Sequence, residues 1–180
     1  MVHIRLARRG DWEAALKVDT TFETRTAWQV EEITGEERWG AILRPARLPR
    51  PQRVQLPRFP DEVQRRLWEG RDAFWVAAVG TRQVLGYLGI VVEAERFVAR
   101  ITEMAVDAAH RRQGIGSALL EQAEAWALRQ GLRQITAACP LKAEPAIAFL
   151  RRRGFGPAGY QDGYWPQQEA AFLFRKRLRR

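Results

Sequence analysis

Cysteine, histidine and lysine are all scarce in this chain of 180 residues. Cys139 is the only cysteine, so no disulfide can close within the chain, and a lone thiol suits a reducing cytoplasm. No stretch approaches the ~18 consecutive apolar residues of a membrane-spanning helix, so neither a transmembrane segment nor a membrane partner is expected. The opening residues Met1 to Leu6 alternate as a strand does and lack the apolar core of a signal peptide. Internal repeats and low-complexity segments are missing, and no metal-ligating set is assigned. What remains is 46% hydrophobic, enough for a substantial core, and reads as one domain over residues 1–180. The net charge is +9, and of 30 basic residues only Lys17, Lys142 and Lys176 are lysines. A basic surface attracts nucleic acid, acidic membranes or anionic small molecules, and charge alone does not choose among them. The arginine skew reads as genome composition rather than as a binding code.

Periodicity predicts a first strand over His3 to Ala7, then a helix from Asp11, as N-cap, to about Val18. Thr20 to Thr26 reads as an irregular connection, with strands over Ala27 to Ile33 and Arg38 to Arg44. Between Arg44 and Pro60 five prolines interleave with five arginines, a density that excludes a helix and restricts strands to edges. A short edge strand at Val54 to Leu56 is allowed, and Asp61 caps a helix to about Glu69. Phe74 to Val79, a turn at Gly80 to Arg82, and Val84 to Val92 read as an antiparallel hairpin, with Gly86 and Gly89 marking close backbone approach. A strand reaching Asp107 precedes a helix from Gly114 to Gln130, whose inner face is Ile115, Ala118, Leu119, Ala123 and Trp126, with Gly131 at its C-terminus. Gln134 to Ala138 reads as a buried strand, Pro145 to Arg153 as a helix, and Ala170 to Leu178 as a last strand. This order implies an α/β or α+β sheet covered by helices.

The junction at Asp107 to Gly116 carries chemistry. A strand end, a basic turn and two glycines opening a helix bring free N–H groups and the positive end of a helix dipole together, which is a place for phosphate. Gly114 and Gly116 also fit the start of a dinucleotide-binding fingerprint. Leu119 occupies its third glycine, however, and the strand ending at Ala138 and Cys139 lacks the acidic residue that would hold a ribose. Residues Arg111 to Gly116 instead resemble the Arg/Gln-x-x-Gly-x-Gly/Ala pyrophosphate loop of the GNAT superfamily of N-acetyltransferases. Met104 to Asp107 resembles the strand before that loop, and Pro145 to Phe155 the helix that follows it. The tail, Gly156 to Leu178, resembles the subgroup that includes streptothricin-type antibiotic acetyltransferases.

The resemblance implies a GNAT fold: a mixed, mostly antiparallel central sheet flanked by helices, with a splayed strand pair at the cofactor cleft. It implies acetyl-CoA as acyl donor, held by Met104, Ala105, Val106, Arg111, Arg112, Gln113, Gly114, Ile115, Gly116 and Ser117. Met104 and Val106 would pair with pantetheine through their main chain, and Arg111 and Arg112 would add charge. The reaction is direct attack of a deprotonated amine on the thioester, with CoA leaving as thiol or thiolate. The acceptor is a small-molecule or protein amine, and the resemblance allows a homodimer.

Three polar positions of the family are apolar here, at Ala138, Ala143 and Leu150. Glu103 is the candidate base: with no bulge in its strand it shares a face with Ile101 and Ala105, and a carboxylate among apolar neighbours keeps its proton more tightly. The plainer reading pairs it with Arg100 or another nearby arginine. Tyr160 and Tyr164 are candidates to supply a phenol, against simple aromatic packing. His110 reads as a cofactor contact or an exposed residue, and Cys139 as a buried inert thiol. The basic Arg44 to Arg58 stretch reads as a substrate lid, a dimer contact or a solvated loop, and as a lid it favours an acceptor with carboxylate or phosphate near its amine. Two other classes stay open: a GNAT relative that binds acetyl-CoA without turnover, and nucleic-acid binding through the Arg175 to Arg180 tail, which is not the favoured partner.

Overall fold

The computed structural model describes residues 1–55, 59–80, 83–165 and 168–179. In chain order the elements are β1 (Val2–Leu6), α1 (Trp12–Leu16), β2 (Phe22–Thr34), β3 (Trp39–Val54), α2 (Asp61–Glu69), β4 (Ala73–Val79), β5 (Gln83–Glu93), β6 (Val98–Val106), α3 (Ile115–Arg129), β7 (Gln134–Pro140), α4 (Glu144–Arg152), β8 (Gly156–Gln161) and β9 (Ala171–Arg177). They gather into two compact units. One holds Met1–Thr21, Gln55–Ala137 and Lys176–Arg180, the other Phe22–Val54 and Ala138–Arg175.

The first unit is a sheet in the order β1-β4-β5-β6-β7, antiparallel except for the parallel β6–β7 pair. Neighbouring residues of a strand face opposite sides, and β4 uses both. Phe74 packs against Trp12 and Trp68, at ring centroids 5.0 and 5.3 Å apart, under α1 and α2. Trp75 meets Trp126 of α3 edge-on at 5.6 Å on the other side. A sheet covered on both faces explains why Ala73 to Ala78 is buried throughout instead of alternating. Gly131, with φ of +76°, ends α3 as expected, and the Leu132 N–H reaches back to the Ala127 carbonyl.

The second unit contains the two-stranded β2–β3 ribbon and the antiparallel β8–β9 pair, with α4 packed on β2. Trp28 is its pivot. The indole donates to Glu144 Oε2 at 2.5 Å, its ring meets Phe172 edge-on at 5.2 Å, and its backbone N–H donates to the Leu141 carbonyl.

Several expectations are corrected. Thr20 to Thr26 is not an irregular connection, since β2 begins at Phe22: the Thr24 hydroxyl donates to the Thr26 carbonyl and accepts from the Thr26 N–H, so polar residues brace a bulged strand. The proline-rich stretch is β3 as far as Val54. Pro45 lies opposite Trp28, whose N–H turns away from β3 toward Leu141, so this is a pair without ladder bonds and the missing proline N–H costs nothing. Pro49 and Pro51 fall in the bulge between Arg47 and Gln52. Asp11 is not a side-chain N-cap, because its carboxylate is engaged by Arg5 and the Arg8 N–H. Asp61 is the first helical residue, with Pro60 at the cap. β8 was not foreseen, its glycines and proline hiding it. Leu56, the Thr81–Arg82 turn, Pro57, Arg58 and Arg180 lie outside the described residues.

Candidate active site

The site is built on β6 and the turn that follows it. The parallel ladder joins Val98–Ile101 to Gln134–Ala137 and stops there, while β6 continues to Val106 with β5 alone beside it in this unit. The phase of the β5 ladder tells which backbone groups face the open edge. Asp107 donates its N–H to the Leu85 carbonyl, so Leu85–Asp107 and Tyr87–Ala105 are hydrogen-bonded pairs, whereas Leu88–Met104 and Gly86–Val106 are not. Met104 and Val106 therefore turn N–H and C=O away from β5; the Arg111 guanidinium takes the Val106 carbonyl, which leaves the Met104 N–H and C=O and the Val106 N–H for a ligand adding like a strand. Ala105 does the reverse, with its backbone bonded to β5 and its side chain in the α1–α2 core, and so leaves the expected cofactor set.

Beyond β6 the Asp107 carboxylate organises the turn. It accepts from the N–H groups of Asp19 and Ala109 and meets His110 Nδ1 at 3.1 Å. Burial is the largest influence on this carboxyl and pushes its pKa up, but the Asp19 N–H, His110 and the Ala109 N–H together hold it below the ordinary value. His110 is thus a partner of Asp107. Arg112 at φ +65° and Gly114 at φ +84° curl the chain so that successive N–H groups converge. The first bond of α3 runs from the Ala118 N–H to the Gly114 carbonyl, and no side chain caps this end. The N–H groups of Ile115, Gly116 and Ser117 consequently have no helical acceptor. Arg112, Gln113 and Gly114 are exposed, while the Ile115 side chain is buried and anchors the helix start.

Arg111 is corrected. Its guanidinium donates to the carbonyls of Val106, Thr21 and Asp19 at 2.9, 2.6 and 3.1 Å, so it fastens the turn to β6 and to the end of the Asp19–Thr21 connection. The charge available to a phosphate is that of Arg112, which has no partner among the described residues. These observations fit a pyrophosphate with an extended arm: helix N–H groups without a helical acceptor, a left-handed turn and an open strand edge follow one another along the chain.

Glu103 lies on the same strand, but a bulge does intervene. Gly89 pairs with Glu103 and Ile90 with Ile101, which leaves Thr102 extra and puts Glu103 on the face of Ala105, opposite Ile101. Its neighbours are not all apolar either. Arg71, just past the end of α2, grips it with two parallel bonds, Nε to Oε1 at 2.8 Å and Nη2 to Oε2 at 2.9 Å. Arg100 pairs with Glu93 instead. Gly89 permits this arrangement, for a Cβ there would strike the Glu103 carboxylate and the Phe74 ring. Sequence reasoning missed Arg71, and only the Gly89 signal pointed toward it. It also missed Thr102, whose hydroxyl is buried at the bulge without a partner among the described residues.

In the second unit the Tyr160 hydroxyl donates to Glu32 in a short bond. That bond, some burial and the negative charges of Glu32 and Asp162 raise the phenol above its ordinary value. Tyr164 packs edge-on against Trp165 at 4.8 Å. Burial pushes the Cys139 thiol up to about 12, in keeping with an inert residue. Ala143 and Leu150 are 1% and 4% exposed and belong to the packing around α4.

Comparison with known proteins agrees with this fold. A streptothricin acetyltransferase of Streptomyces lavendulae is 29% identical over 164 residues, covering 89% of this chain and 85% of the relative. The crystal structure of nourseothricin acetyltransferase superposes with a TM-score of 0.85 at 22% identity, over 99% of both chains. A Bacillus anthracis protein solved in complex with acetyl coenzyme A, provisionally a streptothricin acetyltransferase, gives 0.77 at 16% identity over 98% of this chain and 99% of its own. At these identities the two structures speak for fold. The acetyltransferase (GNAT) family model matches residues 41–155, well over half of the sequence, and this chain belongs to the GNAT acetyltransferase family.

Proposed function

We propose that this enzyme transfers the acetyl group of acetyl-CoA to a primary amine by direct attack. The observation that carries the reading is the outward turn of the Met104 backbone and the Val106 N–H on a strand edge that leads into the uncapped N-terminus of α3. Bound there, acetyl-CoA supplies an activated acyl thioester and a thiol leaving group. The N–H groups from Gly114 to Ser117 and the Arg112 guanidinium hold its phosphates, and Met104 and Val106 orient the arm along β6. Glu103 takes the proton from the acceptor ammonium so that nitrogen presents a lone pair. Tyr160 and Tyr164 are the candidates to return a proton; the bond to Glu32 helps Tyr160 keep its own until needed. The first acceptor to try is streptothricin, named in the 29% identical relative. Anionic amines, favoured by the exposed Arg47, Arg50 and Arg53 of β3, form the second arm of the panel. This activity belongs with a cytoplasmic enzyme, where acetyl-CoA and a reduced thiol coexist.

Calorimetric titration of acetyl-CoA into wild type and into the Gly114→Glu, Gly116→Glu double variant tests the site. Saturable binding that the variant loses is expected, followed by amine-dependent thiol release that Glu103→Gln abolishes and Tyr160→Phe or Tyr164→Phe lowers. A folded wild type that does not bind acetyl-CoA overturns the reading.

A further inference from the structure

We infer that Arg71 is the positioning residue of the acetyl transfer: it fixes the Glu103 carboxylate on the face of β6 shared with Ala105 and yields one of its two hydrogen bonds to the incoming ammonium. The inference rests on Glu103 as the base. Four features on one side of the sheet carry it. The first is that the extra residue Thr102 rotates Glu103 onto the face shared with Ala105 and Tyr87. The second is that the two groups are matched as a fork and are not sealed off, each side chain being 16% exposed.

The third is the rigidity of the arginine's base. The Arg71 N–H donates to the Trp68 carbonyl at the end of α2, and the next residue, Asp72, donates its N–H to the Ile90 carbonyl while its carboxylate receives the Val92 N–H. The guanidinium therefore projects from a segment pinned at both ends. The fourth is Gly89, directly across from Glu103, where any Cβ would displace the carboxylate.

A brace between α2 and β6 would need none of this accommodation and could be apolar, since a well-packed hydrophobic pair replaces a buried ion pair at little cost. A planar fork is what fixes both carboxylate oxygens in direction. One oxygen, released by Nη2 or Nε, is then aimed for the ammonium. The N–H bond of the substrate breaks, an O–H bond forms on Glu103, and the nitrogen keeps the electron pair. The excess positive charge stays on Arg71 beside the newly neutral acid.

The test is thiol release from acetyl-CoA, with streptothricin or the most active amine of the panel, in Arg71→Lys, Arg71→Ala, Gly89→Ala and Glu103→Gln, each with its thermal midpoint recorded. Arg71→Lys and Gly89→Ala are expected to lower kcat about tenfold or more, as misplacement of a reacting group does, with the KM for acetyl-CoA unchanged within about twofold. Added guanidinium is expected to restore part of the Arg71→Ala activity and none of the Glu103→Gln activity. Wild-type kcat in Arg71→Ala overturns the inference, and so does a loss that follows the folded fraction and does not respond to guanidinium. If Glu103→Gln is inactive and Arg71→Ala is not impaired, only the positioning role falls. If Glu103→Gln retains wild-type kcat, the base assignment falls and takes the positioning role with it.

Discussion

Asp11 is 5% exposed, and three donors converge on it: Nη1 and Nη2 of Arg5 at 2.6 and 2.9 Å and the Arg8 N–H at 2.6 Å. The Arg5 guanidinium, aided by the Arg8 N–H and opposed by burial, holds the Asp11 carboxyl below its ordinary value. A carboxyl lowered in the folded state stabilises above its unfolded value, about 3.9, and that contribution disappears as pH falls through the folded one. Asp11→Asn keeps the shape and removes the charge. It is expected to lower the unfolding free energy at pH 7 by about 1.5–3 kcal/mol, the range for hydrogen bonds to charged groups. Urea unfolding at pH 7 and near pH 3 measures this, and the gap between variant and wild type should narrow at the lower pH. A gap of equal size at both values would assign the loss to packing. The same residue shows how a sequence cue can be right in type and wrong in use, since an aspartate before a helix suggests a cap until an arginine six residues earlier claims it.

The β2–β3 ribbon makes the corresponding point for an element. Proline density argues against a strand when every amide is assumed to need a partner, but in a two-stranded ribbon half of the amides face outward. Pro45 stands at one of those positions, so Pro45→Ala should change stability by no more than about 0.5 kcal/mol. Trp28, directly opposite, anchors the ribbon through Glu144 and Phe172. Trp28→Ala should cost about 2 kcal/mol, below the range for a fully buried aromatic because Trp28 is only half-buried. Thermal unfolding of the two variants side by side checks the contrast, and an equal loss in both would contradict the assigned ladder phase. β6 obeys the same rule with a different outcome. Alternation alone places Glu103 with Ile101, and the bulge at Thr102 breaks that inference without any proline or glycine in β6 to announce it.

For the molecule as a whole, Cys139 is a built-in reporter. It is 6% exposed, and burial pushes its thiol up to about 12. In the native state at pH 8 it should resist an aromatic disulfide reagent, and its slow labelling should follow the rate at which the chain opens. One thiol per chain should then appear in denaturant. Fast stoichiometric labelling of the folded protein would show that the end of β7 is accessible. Among the described residues no helix is long and apolar enough to cross a membrane.

The sequence by itself determined the strand–turn–helix unit around Gly114, the antiparallel hairpin before it, and the family. These are local features: glycines at left-handed positions, a 3.6-residue period in α3, and a strand whose backbone groups alternate by geometry. Tertiary structure alone decided which charges are spoken for. Arg111 and Arg112 are adjacent and alike in sequence, yet the first is spent on the Asp19, Thr21 and Val106 carbonyls and the second is left exposed. Glu103 has several arginines near it in sequence, yet its partner is Arg71, thirty-two residues away. An ion pair depends on which side chains meet in space, and the sheet fixes that meeting through register and bulges, which a local pattern does not encode.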